Sequence, residues 1–72
     1  MKKKELKNLA KKIAECEYII QTSEDNTKIQ EAQDEIMRIS SRVHDFQDID
    51  TIDEMVQDIL NDMLWLLKKF FV

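Results

Sequence analysis

Seventy-two residues contain neither a glycine nor a proline. That absence constrains the fold more than any other feature of the chain. Tight hairpin turns depend on the positive φ of glycine or the preset φ of proline. Without them, turns must come from Asn, Asp, Ser and Thr, and regular β-hairpins are disfavoured. The expected fold class is all-α.

Hydrophobic spacing divides the chain into three helices. Leu6, Leu9, Ile13, Cys16 and Ile20 recur at intervals of 3, 4, 3 and 4, flanked by Ala10 and Ala14. This seam predicts a helix over about 3–21. The run Thr22-Ser23-Glu24-Asp25-Asn26-Thr27 has no apolar residue and several good N-cap candidates. Ile29, Ala32, Ile36, Ile39, Val43 and Phe46 then continue the helical spacing, which predicts a second helix over 24–47. Thr51-Ile52-Asp53-Glu54 matches a capping box. It predicts a third helix over 51–71. One domain spanning 1–72 is expected, as an up-down-up antiparallel three-helix bundle, because short links between helices of similar length make neighbours antiparallel.

The third helix carries two apolar seams. One is Ile52, Val56, Ile59, Met63, Leu66 and Phe70; the other is Leu60, Leu64, Leu67 and Phe71. A surface helix needs only one stripe of roughly 100°. Twin seams therefore predict that helix three is central and touches both neighbours. The surplus falls at Leu64, Trp65, Phe71 and Val72. Up-down-up topology would set Tyr18 and Ile19 beside them. These six residues form the expected protein interface, since exposed apolar patches mark association sites and Trp is favoured at their centres. A chain this short is near the lower size limit for an independent core. A stable protein partner or a homodimer with coiled-coil-like packing is expected to supply the rest.

Charge is strongly polarised. Lys2, Lys3, Lys4, Lys7, Lys11 and Lys12 give residues 1–12 a net +5; residues 13–67 carry −11; Lys68 and Lys69 restore the total to −4. The expected topology would bring the six lysines to Asp45, Asp48, Asp50, Asp53, Glu54 and Asp58, and Lys68 and Lys69 to Glu15, Glu17, Glu24 and Asp25. Lysines at a helix start oppose the macrodipole, so their placement needs such an explanation. The same lysines are a candidate polyanion contact. Their cluster has no arginine to read guanine and no interleaved aromatic for stacking, which disfavours nucleic acid. The acidic remainder admits the reverse reading, an acidic DNA mimic that occupies another protein's groove.

Chemistry finds little support. His44 is the only histidine, which excludes a di-iron bundle with two Glu-x-x-His motifs. Asp48 to Ile59 resembles a calcium loop but lacks its ligand at position 5, its Gly at 6 and its Glu at 12. Cys16 lies on the seam of the first helix and is expected to be buried and inert. Ser23, Ser40 and Ser41 have no neighbouring base in the pattern, and no phosphate-binding glycine loop exists. No enzyme activity, metal, cofactor or small-molecule substrate is expected. Met1-Lys2-Lys3-Lys4 is not followed by an apolar segment of the kind that completes a signal peptide. No run approaches the roughly 18 apolar residues of a membrane span. A cytoplasmic location is the expectation, and the lone thiol fits a reducing compartment.

The residues therefore predict a non-enzymatic interaction module, a small adaptor or inhibitor of a larger protein. No family is recognised from its motifs. Tiny helical proteins of this composition are common among phage and plasmid accessory products, which act in a host cytoplasm.

Overall fold

A computed structural model describes the backbone over residues 2–71 and side chains over residues 2–66. Three helices pack together: α1 (Lys3–Thr22), α2 (Asn26–Ser41) and α3 (Phe46–Phe71). No residue among those described has positive φ, so the chain turns without the conformation that glycine supplies.

Side-chain caps make the breaks. At the end of α1 the Ser23 amide donates to the Ile19 carbonyl at 2.8 Å. The Thr22 hydroxyl donates to the Tyr18 carbonyl at 2.7 Å. The Asp25 amide then donates to Ser23 Oγ, and the Thr27 amide donates to Asp25 Oδ1 at 2.9 Å. Asp25 is thus the N-cap of α2, holding a donor that would otherwise lack a helical partner.

The second break departs from the sequence expectation. α2 ends at Ser41, not 47, and α3 begins at Phe46, not 51. Asp45 is the cap: its Oδ1 accepts from the Gln47 amide at 2.8 Å, and its carbonyl accepts from the Ile49 amide at 3.0 Å. The predicted cap, Thr51, lies inside α3 and donates its hydroxyl back to the Gln47 carbonyl at 2.8 Å. This is the alternative bond that Ser and Thr make within helices. Phe46, assigned by spacing to the second helix, starts the third and is 83% exposed.

The central helix is α1, not α3. It packs against both neighbours, whereas α2 and α3 meet only slightly. Ala10 and Ala14 are fully buried on it; small side chains there let two helices approach one face. The main core joins Leu6, Ala10, Ile13 and Ala14 of α1 to Ile39, Val43, Ile52 and Val56. The Cα envelope is flat, 39 × 26 × 15 Å.

Direction differs as well. Along α1, Lys3 and Lys7 share a recess with Met55, Asp58 and Ile59 of α3, while Ile13 shares one with Ile49 and Ile52. Numbers rise on α1 as they fall on α3, so these two helices run in opposite senses. Up-down-up order would make them parallel. α2 also runs against α1: Ile13 lies with Ile39 and Val43, and Thr22 with Lys28 and Ala32. α2 therefore covers the C-terminal half of α1, and α3 covers its N-terminal half. The link over residues 42–45 does not reverse the chain. Arg42 keeps a helical conformation and its amide reaches back to Ile39 and Ser40, so the link redirects the chain without folding it back.

Candidate protein interface

The buried stripe of α3 consists of Ile52, Val56 and Leu60, at successive intervals of four. One turn further, Met63 and Leu64 are half-buried. Trp65 is 60% exposed and Leu66 50%. The direction of α1 explains the exposure of Leu66, whereas Trp65 lies on the face of α3 about 180° from Val56. Lys3 opens α1 and already lies beside Met55, Asp58 and Ile59. At 1.5 Å per residue, Leu66 lies about 10 Å beyond Ile59 along the axis and on the same side, where α1 has no further turn. The apolar pattern continues and its neighbour stops.

The expected patch is divided by this geometry. Leu64 and Trp65 sit beyond the N-terminal end of α1. Tyr18 and Ile19 lie near its other end, in a recess shared with Thr22, Lys28 and Ala32. Tyr18 is half-buried there, and Ile19 is exposed, at 37%. They do not join Trp65. The proposed contributions of Phe71 and Val72 lie outside the described side chains. Leu66, read from sequence as core, is instead part of the exposed end.

Lys2, Lys3, Lys4, Lys7, Lys11 and Lys12 are all exposed. Of the acids expected beside them, Asp58 shares the recess of Lys3 and Lys7. Asp53 lies instead at the junction of the three helices, with Ile13, Ser40 and Val43. The lysines thus face the middle of α3, and they lie toward the same end as Trp65. Sequence reasoning had placed those two features at opposite ends. Arg38 and Glu35 form an ion pair at 3.6 Å on the open surface of α2, of a kind worth little to stability.

Cys16 is half-buried between α1 and α2. Its thiol pKa is raised by burial and then by the negative charge of Glu35, Glu15 and Glu17. Both causes favour the protonated form, the reverse of what activates a nucleophilic cysteine. His44 is exposed. Among the described residues, no three His, Cys, Asp or Glu side chains are grouped to hold a metal. No helix among them is long and apolar enough to cross a membrane.

Met55 and Ile59 were missed as surface-lining residues. Spacing assigned Ile59 to the core and gave Met55 no role; both are half-buried beside Lys3 and Lys7. Met37, 70% exposed on α2, was likewise unremarked. Their positions could not be read without knowing which face of α3 meets α1. No protein-family model, curated protein or solved structure matches the chain.

Proposed function

We propose that this chain is a non-enzymatic protein-binding module, a small adaptor or inhibitor, that meets its partner through the C-terminal part of α3. The observation that carries the reading is the exposure of Trp65 and Leu66 where α3 runs past α1. Two adjacent large apolar residues at the end of an otherwise well-patterned helix form the kind of patch that association covers. Trp is also enriched among the residues that dominate interface energies. The size and composition suit a phage or plasmid accessory product acting in a host cytoplasm.

The test is affinity capture from the source cell with wild-type chain and with Trp65→Ala/Leu66→Ala, after circular dichroism has shown equal helicity. Partners retained by wild type and lost by the variant support the reading. The same partners on both baits would sink it. Sedimentation of the purified chain separates capture of another protein from self-association: a tight dimer that the double variant dissolves makes the partner a second copy.

The exposure of all six N-terminal lysines favours a second reading, contact with a polyanion. Each phosphate contact adds to the steepness of salt dependence. Binding to a DNA duplex that weakens steeply between 50 and 200 mM salt would support it, and unchanged binding over that range would remove it.

A further inference from the structure

The apolar side of the recess beside the α1 start continues along α3. Met55 and Ile59 form its floor with the stems of Lys3 and Lys7. Met55, Ile59, Asp62 and Leu66 are spaced 4, 3 and 4, so they lie along one side of α3. This side of α3 therefore leads from the α1–α3 recess, lined by Lys3 and Lys7, onto the exposed end of the helix beyond α1. The two banks of the recess differ in charge. Lys4, Lys7 and Lys11, spaced 3 and 4, make a basic stripe on α1, with Lys3 beside it. Asp58 and Asp62 lie on the α3 bank.

Met55, Ile59 and Leu66, at intervals of 4 and 7 on one side of α3, match a bound amphipathic helix, whose own anchors recur at helical intervals. The charge of the banks then specifies its flanks. The geometry points to an amphipathic helix of a partner protein as the occupant, with an apolar stripe on Met55, Ile59 and Leu66 and an acidic edge against Lys3, Lys4, Lys7 and Lys11. This rests on the protein-binding reading above and adds the chemistry of the partner. The opposite edge of that helix is neutral or basic, because Asp58 and Asp62 repel acids there. Such asymmetry fixes both register and orientation, and like-charge contact rejects the reversed helix. It also accounts for lysines placed at a helix start against the macrodipole.

The experiment is a display selection with the full-length chain as bait. The library holds 16-residue helical peptides with a fixed leucine stripe and Glu, Gln or Lys at each edge position. Wild-type bait is expected to enrich peptides with Glu along one edge only. A synthetic winner should bind Lys3→Glu/Lys7→Glu about tenfold more weakly, with helicity of that variant unchanged. Trp65→Ser/Leu66→Ser should lose binding to all selected peptides. Enrichment without charge preference, still lost in Trp65→Ser/Leu66→Ser, would overturn the acidic helix and leave the apolar interface standing. Peptides that bind wild type and Trp65→Ser/Leu66→Ser equally would overturn the interface itself. Failure to enrich any peptide overturns both, as does binding only to vesicles of phosphatidylglycerol and phosphatidylcholine, which would make the occupant a membrane surface.

Discussion

The first four turns of α3 and the described residues just beyond them, Trp65 and Leu66, are both apolar and differ in burial. Ile52, Val56 and Leu60 are 3–5% exposed, whereas Trp65 and Leu66 are at least half exposed. For Leu66 the difference is not in the helix but opposite it; Trp65, about 180° round the helix from Val56, lies on the other face. α1 lies against the first group, with Lys3 and Lys7 already beside Met55 and Ile59. Burial here reports the position of a neighbour more than the hydrophobicity of a segment. The stripe is core where α1 lies against it, and its continuation at Leu66 is half exposed.

The largest expected break in this comparison is truncation on the covered side. Val56→Ala should cost about 1–3 kcal/mol and Ile52→Ala about 2–4 kcal/mol by urea denaturation, since each removes buried methyl groups and leaves a cavity. Leu66→Ala, with half its surface already in water, should cost less than about 1 kcal/mol. Equal losses at Ile52 and Leu66 would mean that the end of α3 is covered in solution, and concentration-dependent stability would then identify self-association.

A similar loss is expected from crowding the centre. Ala14→Leu adds volume where α1 is fully buried and should destabilise by about 1–3 kcal/mol. The same change at exposed Gln57 should be nearly neutral, within about 0.5 kcal/mol. If Ala14→Leu were neutral too, α1 could not be the middle helix.

The cap at Asp45 separates the observed helix boundary from the expected one. Asp45→Ala should cost about 1 kcal/mol through the lost bond to the Gln47 amide. Thr51→Ala should cost much less, because its hydroxyl bonds inside a helix that is already formed. The reverse order would restore Thr51 as the helix start.

Cys16 gives the smallest effect and the one with a defined pH sign. Its folded pKa lies above the ordinary thiol value, so the native state holds the proton more tightly than the unfolded chain. Its contribution is fully present below the ordinary thiol pKa and is lost as pH rises through the folded value. Stability should therefore fall slightly more in mild alkali for wild type than for Cys16→Ala. Iodoacetamide should alkylate native Cys16 more slowly than the urea-unfolded chain. Faster alkylation in the native state would show that the thiol is activated.

Much of the fold was legible because its signals are local. A chain without glycine or proline, with apolar residues repeating at intervals of three and four, has few regular structures available besides helices. The bounds of α1 follow from its seam and from the polar run after it, to within one residue at its end. The interface was legible only in part. Trp65 stood out as surplus and is exposed; Leu64 is half-buried next to it. Tyr18 and Ile19 were grouped with them through an assumed chain reversal at residues 42–45 that does not occur. Ile59 was legible as part of the seam and packs against the core, but its place beside the lysines was not, and Met55 gave no signal.

By itself, then, the sequence determined the helical class, the number of helices, the caps available to separate them and the strong segregation of charge. Those properties depend on backbone preferences and on residues close together in the chain. Tertiary structure decided which helix is central, which way α3 runs and which part of its apolar stripe is left uncovered. A helical seam says that a face must be buried, and any apolar face can satisfy it. In this protein the choice fell to Ala10 and Ala14, which make α1 thin enough to be packed by both neighbours, and to a link that turns the chain without reversing it. The result puts the lysines and Trp65 toward one end of the molecule, where Lys3 shares a recess with Met55, Asp58 and Ile59, more than fifty positions away in sequence.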